Sequence, residues 1–390
     1  MRISALRRSL FCRANSIASN CTSCAMKFFS ILIRSLYLTT KLSSTHPQKF
    51  IDDVLVKLTI GHKWGKMTIV TVVEEKGNLD MEVDGHVLVI GASGFDIKGR
   101  SHQELKYHAD NPGKVRSCYG GVGRNIAENL ARLDIPTVLL TAVGDDAAGD
   151  LILAHLASAG VNVSHALQLE AHRTGNFIAV LNEFGDLALA VSDFEIMAQL
   201  DADYIASHES LFAAAQFVMI DLNIEIATID AIIQLCQKYQ VPLCCDPTSP
   251  AHAQKIVDRI QHFYLLTPNA SEIEVFCRIP VHKSNPDSVM QAVQYLVAQG
   301  VKVGIVTLGE NGAAYATANE RGMFDTPQVS VVDSTGAGDA LSAGVIFGLV
   351  NQLDLGEALR LGMAAARLTL GSTESVLPDL SPDLLYEQLI

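Results

Sequence analysis

The sequence predicts an α/β protein, with a central, mainly parallel sheet flanked by helices and a small β-sheet lid. Three observations predict it. From Asp84 onward, short β-branched runs alternate with stretches of helical periodicity, the pattern of strand–helix units. Several of those runs read as buried strands, and each is followed by a helix or loop. Two stretches, Gly99–Tyr119 and Arg173–Phe194, break the rhythm with strand character of their own.

Taken in order, Val87–Ile90 is the first strand. Asn125–Leu133 carries apolar residues at helical spacing, and Thr137–Ala142 is the next strand. Asp150–Ala159 is a helix stopped by Gly160. Phe217–Asp221, Pro242–Asp246, Phe263–Thr267 and Val303–Thr307 are further buried strands. The lid is expected over residues 98–119 and 172–194, where Thr174–Leu181 and Leu187–Val191 resemble a hairpin around Gly185-Asp186. All of this belongs to one domain, residues 84–390.

Residues 1–80 read as a separate, disordered leader. Its first 50 positions hold Arg2, Arg7, Arg8, Arg13, Lys27, Arg34, Lys41 and Lys49, and no acidic residue precedes Asp52. That composition suits an organellar transit segment. The other reading is an upstream extension, with the start at Met67 or Met81. The expected compartment is accordingly cytoplasmic or mitochondrial. The apolar run Phe28–Ile33 is too short to span a bilayer.

Hydrophobic residues make up 49% of the 390 positions, enough for a sizeable core. The formal charge of -13 argues against a nucleic-acid polymer or an anionic membrane as partner, because either would be repelled. Eight cysteines show no framework spacing. Cys21-Thr-Ser-Cys24 has no second pair at zinc-site distance, and Cys244 and Cys245 read as reduced core residues.

Two glycine pairs imitate a dinucleotide-binding turn. That turn needs a third glycine where its helix packs on the strand. Gly91-Ala92-Ser93-Gly94 is followed by Ile97 at that place, and Gly121-Val122-Gly123 by Ile126. Both therefore fail.

The chemistry is carried by Val331-Val332-Asp333-Ser334-Thr335-Gly336-Ala337-Gly338-Asp339-Ala340, which runs into a small-residue helix, Leu341–Leu349. Glycines just before a helix let successive N–H groups converge, and with the helix's positive end they make an anion hole for a phosphoryl group. Asp339, at the same place, can orient an attacking hydroxyl and take its proton.

This segment resembles the C-terminal signature of the ribokinase-like (PfkB) carbohydrate kinases. Their other signature is similar to Gly120-Gly121-Val122-Gly123-Arg124-Asn125-Ile126-Ala127, about 210 residues upstream. The resemblance covers about residues 86–378 and implies a ribokinase-like fold, ATP and Mg²⁺. It makes Asp339 the catalytic base, and Gly336, Ala337 and Gly338 the anion hole. Asp96, Gly120, Gly121 and Asn125 then bind the sugar. Asn269 and Glu272 of Thr267-Pro268-Asn269-Ala270-Ser271-Glu272 match an element that organises Mg²⁺ and phosphates through water, which Asp246 joins. Thr307, Gly309 and Gly312 match the turn that holds the nucleotide. Asp333, Thr335 and Ser375 fall where a monovalent cation, K⁺, binds in several members.

Within the family the finer pattern resembles the pseudouridine kinases. It does so at Asn111–Arg116, in the Val-Gly-Arg-Asn form of the signature, and at Leu140–Asp146, Arg173–Asn176 and Ala190–Ile196. Val122 stands where free-ribose kinases usually have Lys. The implied reaction makes pseudouridine 5′-phosphate and ADP; the alternatives are a kinase of ribose or adenosine, or an inactive ligand-binding member. Thr174, Asn176 and Asp193 are the candidates for contacting the base. A homodimer through the lid is implied, and a separate pseudouridine-phosphate glycosidase is the implied metabolic partner.

Overall fold

The computed structural model describes residues 54–63, 66–75, 85–325 and 331–389. Residues 1–83 and 84–390 form two units. In the first, β1 (Val54–Lys63) and β2 (Lys66–Glu75) pair as an antiparallel hairpin. This hairpin falls within the expected leader, residues 1–80, where Val, Ile and Thr crowd two runs that favour a pleated backbone. The basic stretch and the Cys21/Cys24 pair lie outside the described residues.

In the second unit the chain runs through β3 (His86–Ile90), β4 (Gly94–Ser101), β5 (Gly113–Gly120), α1 (Val122–Arg132), β6 (Thr137–Leu140), β7 (Ala142–Gly144) and α2 (Ala147–Ser158). It continues with β8 (Leu167–Leu169), β9 (Gly175–Leu181), β10 (Leu187–Asp193), β11 (Ala215–Asp221), α3 (Ile226–Tyr239), β12 (Leu243–Asp246) and β13 (Leu265–Leu266). Then follow α4 (Ala270–Cys277), α5 (Pro286–Ala298), β14 (Val303–Thr307), β15 (Ala313–Ala316), β16 (Arg321–Phe324), α6 (Ala337–Val350) and α7 (Leu355–Leu370). Short helices fill the remaining connections.

Eight strands form the main sheet in the order β16-β15-β14-β13-β12-β11-β3-β6. Pairing is parallel from β14 to β6 and antiparallel at β15 and β16. Its strands are covered on both faces. Leu88, Ile90, Val218 and Ile220 pack into one core, while Val87, Val89 and Met219 pack into the other. This period-two division of unbroken apolar runs is what a parallel sheet between helical layers requires. Cys244 and Cys245 are buried free thiols, as read from the sequence.

The order reverses between β3 and β11, because the chain builds toward β6 first and then returns to the other side. In open parallel sheets such a switch point leaves a crevice at the strands' carboxyl ends. Asp221 and Asp246 end β11 and β12 there.

The lid is a separate four-stranded sheet, β10-β9-β4-β5. β9 and β10 form the expected hairpin, and β4 joins it by parallel pairing with β9. The lid begins at Gly94, earlier than the sequence suggests, since β4 leaves the main sheet only three residues after β3.

Candidate active site

The site is built around the start of α6. Its N-cap is Gly336, at φ 81, and no side chain caps the helix. The first intrahelical bond runs from the Ala340 N–H to the Gly336 carbonyl, so the N–H groups of Ala337, Gly338 and Asp339 have no partner within the helix. A Cβ on Gly336 would collide with the Ser375 carbonyl, whereas the space above Gly338 is open. The helix start is thus both uncapped and approachable, as an anion hole demands.

Asp339 sits in the first turn and is 8% exposed. Burial pushes its carboxyl up to about 7; the Asn125 amide and the Arg124 guanidinium pull it down, while the Asp221 and Asp96 charges push it up. Asn125 Nδ2 donates to Asp339 Oδ2 at 2.6 Å, and this joins the two glycine signatures directly.

Arg124 orients that amide. Its Nε donates to Asn125 Oδ1 at 3.0 Å, so the amide's NH₂ is turned toward Asp339. The guanidinium is itself held by Glu128 Oε2 at 2.7 Å, and Glu128 Oε1 meets Arg132 Nε at 2.8 Å and His155 Nε2 at 2.9 Å. Arg124 is fully buried, and burying such a charge is tolerable only with a bonded counter-ion. Sequence reading passed over Arg124 and Glu128; their spacing of four residues on a helix was the available signal.

Asp221 was also missed. Its Oδ2 accepts from the Ala92 N–H at 2.7 Å and the Gly123 N–H at 2.8 Å, and its Oδ1 accepts from the Asn223 N–H at 2.9 Å. One buried carboxylate therefore holds together the two glycine turns that imitate a dinucleotide site. Asp96 is buried on β4, so close to Gly120 that any side chain there would strike its carboxylate. Burial raises its carboxyl, against the pull of Lys98 and Arg124.

On the nucleotide side, Asn269 caps α4 in a closed box. Its Oδ1 accepts from the Ser271 and Glu272 N–H groups, while Glu272 accepts from the Asn269 N–H at 2.8 Å and Nδ2 at 2.7 Å. Asp246 is pushed well above the usual carboxylate range by burial, then by the charges of Asp339 and Glu272. Among the described residues no group of three His, Cys, Asp or Glu side chains is arranged to hold a metal directly. Mutually repelling carboxylates with Glu272 already engaged fit a cation that keeps its own waters. Thr307 bridges to Asn269 and leads into the turn with Gly309 and Gly312, at φ 64 and 85.

Three expectations need correction. The Thr174 hydroxyl donates to Asp146 Oδ1 at 2.7 Å and accepts from the Gly144 N–H at 3.0 Å, so its one donor is spent on bracing the lid's base and cannot also donate to a ligand. Asn176 pairs with Asp193 on one side and with Phe95 on the other, one residue out of step with Asp96; Phe177 and Ser192 occupy the Asp96 row instead. The residues expected to bind K⁺ do not fit a metal ion. Lys98 Nζ donates to Asp333 Oδ2 at 2.9 Å and to Thr335 Oγ1, and Arg116 also pairs with Asp333. The third, Ser375, has its Oγ 3.8 Å from Cys118 Sγ.

A doubly covered parallel sheet, a small lid, and an uncapped glycine helix start beside a buried carboxylate define a phosphotransferase for small alcohols. Comparisons with known proteins agree. The family model of pfkB family carbohydrate kinase matches residues 84–381, and the chain belongs to that family of sugar and nucleoside kinases. It is 30% identical over 302 residues to the pseudouridine kinase of Escherichia coli (strain K12), covering 77% of this chain and 95% of that one. It is 32% identical over 309 residues to the guanosine-inosine kinase of Exiguobacterium acetylicum, covering 77% and 98%. The structure of Arabidopsis thaliana ribokinase complexed with ribose and ATP superposes with a TM-score of 0.68 at 23% identity, over 79% of this chain and 99% of that chain. The fold is ribokinase-like.

Proposed function

We propose that this chain transfers the terminal phosphoryl group of ATP to the 5′-hydroxyl of pseudouridine. The observation that carries the reading is the Asn125–Asp339 contact at the open start of α6, which puts a proton acceptor beside an anion hole. Asp96 and the Gly120-Gly121 turn grip the sugar, and Asn125 turns the base carboxylate toward its 5′-hydroxyl. Asp339 takes the hydroxyl proton as the oxygen attacks. The Ala337 and Gly338 N–H groups stabilise charge on the transferring group, where such chemistry needs positioning most. Asp246 and Glu272 would hold hydrated Mg²⁺, which neutralises phosphate charge when bound.

Similarity to the Escherichia coli pseudouridine kinase supports the substrate, and the guanosine-inosine kinase relative supports a second reading, a purine nucleoside. ADP release measured across pseudouridine, uridine, inosine, guanosine, adenosine and ribose separates them. Pseudouridine turning over no faster than uridine would refute the first reading. An Asp339→Asn protein should bind substrate yet lose transfer by about 10²-fold or more; turnover within a few fold would make Asp339 the wrong base.

The lid supports a homodimer. Val115, Ile178 and Val191 stand 75%, 45% and 59% exposed on its outer face, and a second copy would cover them. A separate glycosidase consuming pseudouridine 5′-phosphate completes the reading. Among the described residues no helix is long and apolar enough to cross a membrane.

A further inference from the structure

We propose that the Lys98 ammonium is a permanent, covalently held cation at the loop leading into the anion hole, so that turnover needs no monovalent metal ion. The proposal rests on the phosphotransfer reading above and extends it to what that reading requires of the solution.

Lys98 lies on β4 two residues beyond Asp96, so both side chains leave the same face of the lid. It is only 5% exposed and reaches across to the loop before α6, where it meets the Asp333 carboxylate and the Thr335 hydroxyl. Asp333 Oδ1 in turn accepts the Thr335 N–H at 2.9 Å, which closes the loop one residue before Gly336. Burial alone would raise the Asp333 carboxyl. Lys98 and the Thr335 N–H and hydroxyl outweigh it and hold the group below the usual carboxylate range.

An ammonium is a compact point charge with three donors, close in size and charge to a potassium ion. Here it makes the contacts with the carboxylate and hydroxyl that a bound metal would make. Arg116, opposite Lys98 on β5, adds a second positive charge on Asp333 and donates to the Thr373 carbonyl at 3.2 Å. A metal ion entering this pocket would meet two cations already engaged by Asp333, with the buried Asp96 carboxylate as a further negative charge within electrostatic reach, so repulsion from Lys98 and Arg116 opposes it. Lys98 also ties the lid to the loop, which gives it a positioning role: it sets the backbone from which Gly336 turns.

The test uses the full chain in choline salts free of potassium, sodium and ammonium, against potassium chloride at equal ionic strength. Wild-type turnover and melting temperature should be the same in both, within about twofold for the rate. Activation by potassium of about fivefold or more, or a higher melting temperature in potassium than in choline, would overturn the proposal. Lys98→Ala should lose about tenfold or more in kcat in choline and regain part of it with potassium or ethylammonium, which a merely structural lysine would not allow. A folded Lys98→Ala protein that keeps wild-type turnover in choline, or that no cation rescues, also overturns it. If that variant does not fold, the wild-type comparison still decides. Absence of ADP release with every nucleoside and sugar in any salt would instead refute the phosphotransfer reading itself.

Discussion

Removing the Asn125 amide should move the acid limb of the pH–rate profile upward. The base must be ionised to work, and burial already places Asp339 at about 7 despite the help of Asn125. The 2.6 Å bond from Asn125 Nδ2 stabilises the charged form more than the neutral one. A hydrogen bond to a charged group contributes about 1.5–3 kcal/mol. One pKa unit corresponds to about 1.4 kcal/mol, so Asn125→Ala should raise Asp339 by about one to two units. At neutral pH the ionised fraction would drop from about half to between about a tenth and a hundredth, and kcat/KM would fall about 5- to 50-fold. The assay is kcat/KM for the best nucleoside from pH 5.5 to about 9.5, because that ratio reports the free enzyme's groups. Asn125 also contacts substrate in this reading, so the plateau should be lower too; the midpoint is the diagnostic quantity. A midpoint that stays put, or moves down, would refute the assignment of this pair.

Other outcomes follow from the same geometry. Asp339→Asn should be more stable than wild type at pH 8 and indistinguishable near pH 4: the folded state holds the Asp339 proton from the ordinary 3.8 up to about 7, so stability is lost as pH rises through that window. Melting curves at both ends check it, and an equal difference at both would count against it. Gly336→Ala needs a left-handed backbone at φ 81 and strikes the Ser375 carbonyl, so it should lower kcat by about 10²-fold or more while the circular dichroism spectrum keeps its shape. Asp221→Ala unties the Ala92 and Gly123 N–H groups and should cost about 3 kcal/mol in urea unfolding and raise KM; an unchanged KM would contradict its bracing of the glycine turns. Ile178→Asp on the outer lid face should give a monomer by sedimentation if the lid is the dimer interface.

Local chemistry made much of this legible in one dimension. Apolar runs of strand length, separated by helical periods, are enough to specify a covered parallel sheet, because each face must be buried. Gly336–Asp339 was readable for a similar reason: glycines before a helix create an anion site through backbone geometry alone. The hairpin around Gly185-Asp186 came from turn chemistry, and β9 and β10 bear it out. Thr174, by contrast, was a candidate for contacting the substrate's base, and its hydroxyl donates to Asp146, 28 residues earlier, at the start of α2.

The sequence by itself determined the class of sheet, the presence of a lid, and the carboxylate and amides at the head of α6. Only the tertiary structure decided that Asn125 is the partner of Asp339, that Asp221 clasps two glycine turns, and that Lys98 occupies the expected place of a metal ion. The physical reason is distance along the chain. Asn125 and Asp339 are 214 residues apart, and Lys98 and Asp333 are 235 apart. Groups so separated carry no periodicity or spacing to betray them: Lys98 meets Asp333 only where strand register brings one face of the lid against the loop before α6, and Asn125 meets Asp339 only where α1 lies beside the start of α6.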